Sequence, residues 1–264
     1  MSLDNSEITE KILERSRDLE TILNSFFLKE FAKFHNIKDK YNLFSLKQEV
    51  IAKRGYFLDV KKKYALWIIN KEGVPVEEAE IKGLITKRSD YSAATKVGIR
   101  MIIDMLIKDE KISFEKIRRF VTEYRKEILK MIMSGDKSVG RPVSFSKSPK
   151  EYKRLPSHVL GMYLWNDLMY YHFAPKSKGS QFKIKGIDLF LAPDHIKDKV
   201  SKYDFKKYNN IVIPYDYDDP LPKYISIDVE GMIRFAWDDR VREILGPISY
   251  NIFNEQTNSE ISVW

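Results

Sequence analysis

The sequence predicts an α+β protein: a long helix packed on a small antiparallel sheet, followed by a mainly helical domain. Three observations predict it. Apolar residues recur at helical spacing from the start of the chain to about His35. The interval 44–86 breaks into short runs rich in β-branched and aromatic residues. From Tyr91 the helical period returns.

In the first helix Asp4 and Glu7 form a capping box, and Ile8, Ile12, Leu19, Ile22, Leu23, Phe26 and Phe27 supply the apolar positions. Strands are expected over FSLKQEVIAKRGYFLDV, KYALWIIN and EIKGLIT, with the Lys-Glu-Gly of 71–73 as the turn between the last two. YSAATKVGIRMIIDMLIKD and SFEKIRRFVTEYRKEILKMIMSG then carry apolar stripes. Asp90 or Ser92 caps the first, Ser113 caps the second and Gly135 closes it. DKSVGRPVSFSKSPKEYKR (136–154) reads as a polar, basic loop. It precedes a third helix in LPSHVLGMYLWNDLMYYHF, strand-like runs SQFKIKGIDLFLA, NIVIPYD and KYISID, and a closing helix from Met232 to Leu245. The expected division is 1–90 and 91–264, with the boundary near Asp90.

A chain of 264 residues with 43% apolar and 13% aromatic residues is long and apolar enough to bury a real core. Its net charge of +8 favours an anionic partner such as nucleic acid. The absence of cysteine excludes disulfides, thiolate chemistry and cysteine-bound zinc. No apolar run reaches membrane-spanning length, so no membrane partner is expected and the default location is the cytoplasm.

Catalytic candidates are few. His35, His158, His172 and His195 form no metal or triad spacing, and each reads as structural or solvated. YDYDDP (215–220) clusters three aspartates, as a magnesium site would, but the prolines around it favour an exposed turn. Asp238 and Asp239 are adjacent in a helix, about 100° apart, and cannot converge on one ion. The glycines are scattered singly, without a phosphate-cradling loop.

The basic segments remain. In a strand residues two apart share a face, so Lys62 and Tyr64 of KKKYAL project together, and a cation and a phenol stand side by side at the strand's wet end. Such a pair suits a nucleic-acid backbone or groove edge. On the residues alone, a solvated lysine beside a tyrosine that rims the core is an equal reading.

KKKYAL resembles the Lys-x-Tyr motif in the palm of family B DNA polymerases, in its phage form. KGLITKRSDYS (82–92) resembles that family's palm-to-thumb junction. PSHVLGMYLWN (156–166) is similar to the thumb segment of phage enzymes that reads Pro-x-His-x-x-Gly with an asparagine five residues beyond. The three occur in the family's order, and the resemblance covers nearly the whole chain.

The resemblance implies that residues before about Asp90 are the C-terminal part of a palm and the rest a thumb. It implies that Lys62 and Tyr64 face the minor groove near the primer end, with Lys61 and Lys63 as electrostatic support. By the same resemblance Lys82 and Arg88 steady the primer backbone, and the loop holding Ser144, Ser146, Lys147 and Lys150 grips duplex phosphates. The family's exonuclease domain, fingers and both metal-binding aspartate motifs are missing from the chain. Two-metal phosphoryl transfer needs such paired carboxylates. The chain is therefore expected to bind no cofactor itself, magnesium entering only in a complete polymerase, and to be inactive alone.

It is either a fragment or one subunit of a split polymerase, whose partner brings the exonuclease, fingers and catalytic palm. That partner, or a second copy, would cover the open edge of the small sheet and the apolar face of the first helix. The tail EQTNSEISVW (255–264) is a candidate for docking a sliding clamp through Ile261, Val263 and Trp264. The alternatives are a stand-alone basic DNA-binding protein and a nuclease built on YDYDDP.

Overall fold

The computed structural model describes residues 5–38, 45–84, 91–109, 111–145, 151, 153–170 and 176–248, the side chains of 5 and 6 excepted. Asp4, Arg88, Asp90, Ser146, Lys147, Lys150, His172 and the 255–264 tail lie outside the described residues. The chain forms two compact units. One is built from residues up to 57 with 64–82, the other from 58–63 with 83 onward. The fold is α+β, as predicted.

The first unit opens with α1 (Asn5–Ile22), continues through a π turn (Leu23–Phe27) and ends in α2 (Leu28–Phe34). One face of this helix is tied to the segment before the sheet. Asn24 exchanges hydrogen bonds with the Leu46 backbone at 2.7 and 2.8 Å, and the Glu20 carboxylate accepts from Gln48 N at 3.0 Å. The sheet is antiparallel in the order β1 (Val50–Phe57), β2 (Tyr64–Lys71), β3 (Val74–Lys82). The turn expected at 71–73 forms with Glu72 at φ 50° and Gly73 at φ 85°, the two left-handed positions that a tight hairpin with right-twisted strands requires. Asn70 is buried because its side-chain carbonyl accepts from Gly73 N (3.0 Å). Ala65, Ile68 and Ile81 are the buried apolar centre of the sheet. A cleft of about 700 Å³ between α1 and the sheet is lined by Leu13, Trp67, Ile69 and Val76 among others.

The second unit starts with α3 (Ala93–Ile107) and α4 (Phe114–Ser134). Ser92 and Ser113 are their N-caps, accepting from Thr95 N and Lys116 N, and Gly135 closes α4 at φ 74°. The closing helix starts earlier than expected, at α7 (Val229–Ile233). The Asp228 carboxylate caps it, and it runs through a π turn (Arg234–Asp238) into α8 (Asp239–Leu245). It packs on α3 and α4 through Trp237, which is fully buried. Trp237 fits because position 98 is glycine: a Cβ there would lie 2.4 Å from the indole. The indole N–H donates to Val121 O (3.1 Å), and Arg125 of α4 clasps the buried Asp238 carboxylate at 2.9 and 3.1 Å.

The strand-like runs of the second part form a sheet in the order β4 (Arg141–Ser144), β5 (Lys178–Ile187), β6 (Asn210–Pro214), with β7 (Ile225–Ile227) on the far half of β5. β4 arises inside the segment read as loop. It is a four-residue edge strand carrying Pro142, and edge position is what lets a proline lie in a sheet. The run SQFKIKGIDLFLA leaves the sheet at Ile187. Asp188 accepts from Phe190 N and Ala192 N and turns the chain, leaving Phe190 99% exposed. Between β4 and β5 lies α5 (Ser157–Met169), which packs on β6, and between β5 and β6 lies α6 (Asp194–Val200). Among the described residues no helix is long and apolar enough to cross a membrane.

Candidate nucleic-acid interface

The connection from β1 to β2 is the six-residue loop 58–63, closed by Leu58 N donating to Lys63 O (3.0 Å) and Lys63 N to Val60 O (3.2 Å). Lys61 and Lys62 form its turn, and Lys62 adopts φ 63°, a left-handed conformation uncommon for a lysine. This corrects the strand argument. β2 begins at Tyr64, so Lys62 lies in the turn, and alternation along a strand does not bring the two side chains onto one face.

Within the second unit, the loop meets the segment after β3. Gly83 also has a positive φ, 65°, and a Cβ on it would lie 2.2 Å from the Lys62 carbonyl oxygen. Only glycine fits that approach. Lys63 is half-buried and pairs with Glu243 of α8 at 3.0 Å; the same carboxylate accepts from Arg240 at 3.2 Å. Arg240 lies over the buried Tyr91 ring, 4.9 Å from its centroid, and donates to its hydroxyl. Lys63 is thus an internal tie of the loop. Lys61 and Lys62 are exposed and have no carboxylate partner among the described residues.

Within the first unit, Tyr64 stands opposite Lys82 in the β2–β3 register. Tyr64 donates to Glu80 Oε1 (3.1 Å), Lys82 Nζ pairs with the same oxygen (2.8 Å), and that ammonium lies 5.6 Å from the Tyr64 ring centroid. The Lys82 hydrogen bond, with that of Tyr64, holds the Glu80 carboxyl below its usual range, and Glu80 pushes Lys82 upward. Sequence reasoning missed Glu80. Its signal was the i, i+2 spacing to Lys82 on one strand face, readable only once the hairpin register is known.

The third matched segment has a packing role. α5 lies on β6, where a Cβ at Gly161 would come within 3.1 Å of Asn210 O. Trp165 is fully buried, with Tyr217 edge-on at 4.8 Å. His158 faces Phe145, and burial with the nearby Arg141 charge lowers its pKa below the ordinary 6.5. Ser144 is exposed at the end of β4, opposite Lys178.

The YDYDDP segment is a turn held by a cation of the protein itself. Lys137 Nζ donates to Tyr215 O (2.8 Å) and Tyr217 O (2.6 Å) and pairs with Asp218 (3.2 Å). Among the described residues no cluster of three or more histidine or acidic side chains has the geometry to hold a metal. His35 packs on Phe31 and His195 on Tyr170, while Asp238 and Asp239 go to different arginines, Arg125 and Arg242.

No protein-family model matches the chain, and no curated protein matches it. Among solved structures it is similar to the family B DNA polymerase from the hyperthermophilic archaeon Pyrobaculum calidifontis, at 15% identity and a TM-score of 0.48. The likeness covers 84% of this chain and 24% of that one, so the chain spans about a quarter of that polymerase's length.

Proposed function

We propose that this chain is the palm-and-thumb portion of a phage-type family B replicative DNA polymerase. In this reading residues 1–90 are the end of the palm, 91–264 the thumb, and the chain grips primer-template duplex without carrying the catalytic aspartates. The observation that supports the reading is the convergence of its first two polymerase-like segments. Tyr64 of the Lys-x-Tyr segment opposes Lys82, the Lys62 carbonyl abuts Gly83, and Lys63 reaches Tyr91 through Glu243 and Arg240. Within the first unit Tyr64 and Lys82 thereby share the Glu80 carboxylate, and within the second the basic loop is fixed against Gly83 and Tyr91.

In this reading Lys61 and Lys62 meet duplex phosphates directly. Lys82 exchanges Glu80 for phosphate, Tyr64 lies at the groove edge, and Lys63 positions the loop. Arg88 and the loop of Ser144, Ser146, Lys147 and Lys150 extend the grip along the backbone. The remaining polymerase, with exonuclease, fingers and metal-binding palm, is supplied by the rest of a longer protein or by a partner polypeptide, and the C-terminal tail docks a sliding clamp.

The test is fluorescence anisotropy with a labelled primer-template duplex across a salt series. Each phosphate neutralised adds about 0.9 to the slope of log K against log salt. Lys61→Ala and Lys62→Ala should each lower the slope by about that amount. Salt-independent affinity, or none for duplex, refutes the reading. Primer extension should need the remaining polymerase portion; extension by the purified chain alone also refutes it.

A further inference from the structure

The helix formed by α1, the π turn and α2 packs on its own unit through one face and leaves a second apolar face bare. Ile8, Ile12, Leu19, Ile22 and Phe27 are 39%, 41%, 59%, 59% and 56% exposed. Residues 12 and 19 are seven apart, as are 8, 15 and 22, and the π turn, which holds one extra residue, brings Phe27 onto the first row, so the exposed residues lie in the two interleaved rows of a heptad seam. Leu13, Glu20 and Asn24, which are half-buried, lie more than a quarter-turn away and face the unit's interior.

We propose that this seam pairs antiparallel with the same helix of a second copy. Arg15 decides the direction. It occupies the seam position between Ile8 and Ile22, is exposed, and has no carboxylate partner among the described residues. A parallel in-register pair would set Arg15 against Arg15 in a closed layer, where two unpaired guanidiniums repel. The antiparallel pair stacks Ile12 on Ile22, Leu19 on Arg15 and Phe27 on Ile8, each layer formed twice by the two-fold axis. It also brings Asp18, exposed and equally unpartnered, beside the other copy's Arg15. The area is sufficient. At roughly 100 Å² for each half-exposed side chain of this size, the five residues give on the order of 500 Å² per copy. That makes about 1,000 Å² for the pair, the size at which a specific interface begins.

The test uses the whole chain. Sedimentation velocity should show a dimer at micromolar concentration, and Leu19→Glu should return it to monomer with an unchanged circular dichroism spectrum. The chain contains no cysteine, so single cysteines report the direction. Ser16→Cys lies next to the two-fold axis only in the antiparallel pair and should form a disulfide-linked dimer on oxidation. Ile12→Cys meets its own copy only in a parallel pair and should not. A wild-type chain that is monomeric at 100 times the working concentration overturns the proposal. So does a dimer that survives Leu19→Glu, or one that links through Ile12→Cys and not Ser16→Cys. Duplex affinity per chain should be the same for Leu19→Glu and wild type, which keeps this test separate from that of the DNA-binding role.

Discussion

Gly83→Ala tests the corner where the basic loop meets the end of β3. The new methyl group would lie 2.2 Å from the Lys62 carbonyl oxygen, so about 1 Å of separation must be found. Neither side yields cheaply, because the obstacle is backbone and Gly83 sits at φ 65°. The left-handed conformation alone costs a non-glycine residue roughly 1 kcal/mol, and backbone strain of this kind adds about 1–3 kcal/mol. Gly73→Ala supplies the comparison: its φ is 85°, with nothing within 4 Å of the added carbon, so it carries only the conformational part. Urea denaturation followed by circular dichroism should place Gly83→Ala on the order of 2–4 kcal/mol below wild type, or show a smaller loss if the loop gives way. In the second case Lys61 and Lys62 are displaced and duplex affinity falls about tenfold. Gly73→Ala should cost about 1 kcal/mol and leave affinity alone. If Gly83→Ala matches Gly73→Ala in stability and wild type in affinity, the close approach is absent and the argument for the corner fails.

Lys62 holds a lysine where the backbone favours glycine, so Lys62→Gly should be at least as stable as wild type in urea while binding duplex no better than Lys62→Ala; loss of stability would show that the lysine serves the fold. Asp238→Asn leaves the Arg125 guanidinium facing a neutral amide in a buried place. It should lower stability by about 3–5 kcal/mol, whereas Asp239→Asn, whose partner Arg242 is exposed, should lie within about 1 kcal/mol of wild type. His158 titrates below its ordinary 6.5 in the folded chain because of burial and Arg141. The unfolded chain therefore takes up the proton first, and the stability His158 contributes is complete above pH 6.5 and declines as the pH falls below it. A His158→Gln variant should show a flatter dependence of melting temperature on pH between 7 and 5.5, and an identical slope would remove His158 as the cause.

Much of the fold was legible because its elements carry their own local signals. Ser92, Ser113 and Gly135 cap where short polar side chains and a left-handed glycine must, and the Glu72–Gly73 turn sets the β2–β3 register. β4 was not legible, since four residues with a proline carry no alternation and acquire strand geometry only by pairing with β5. At the candidate interface the residue types were readable and their geometry was not. Alternation assumed that Lys62 was already in the strand. Its φ of 63° belongs to the turn of the 58–63 loop, and its carbonyl meets Gly83, twenty-one positions on, an approach that no local pattern reports. The Lys63–Glu243 pair and the engagement of Lys82 by Glu80 are likewise products of tertiary pairing.

The burial of the indoles gives the two units different optical voices. Trp165 and Trp237 are fully buried in the second unit, while Trp67 in the first is half-buried. Tryptophan emission should therefore shift to the red mainly when the second unit loses its core, and report little of the first. The far-ultraviolet signal at 222 nm, by contrast, sums the helices of both units, the long N-terminal helix among them. Both probes can follow one denaturation series without cutting the chain, and midpoints that fail to coincide would show that the first unit melts apart from the second.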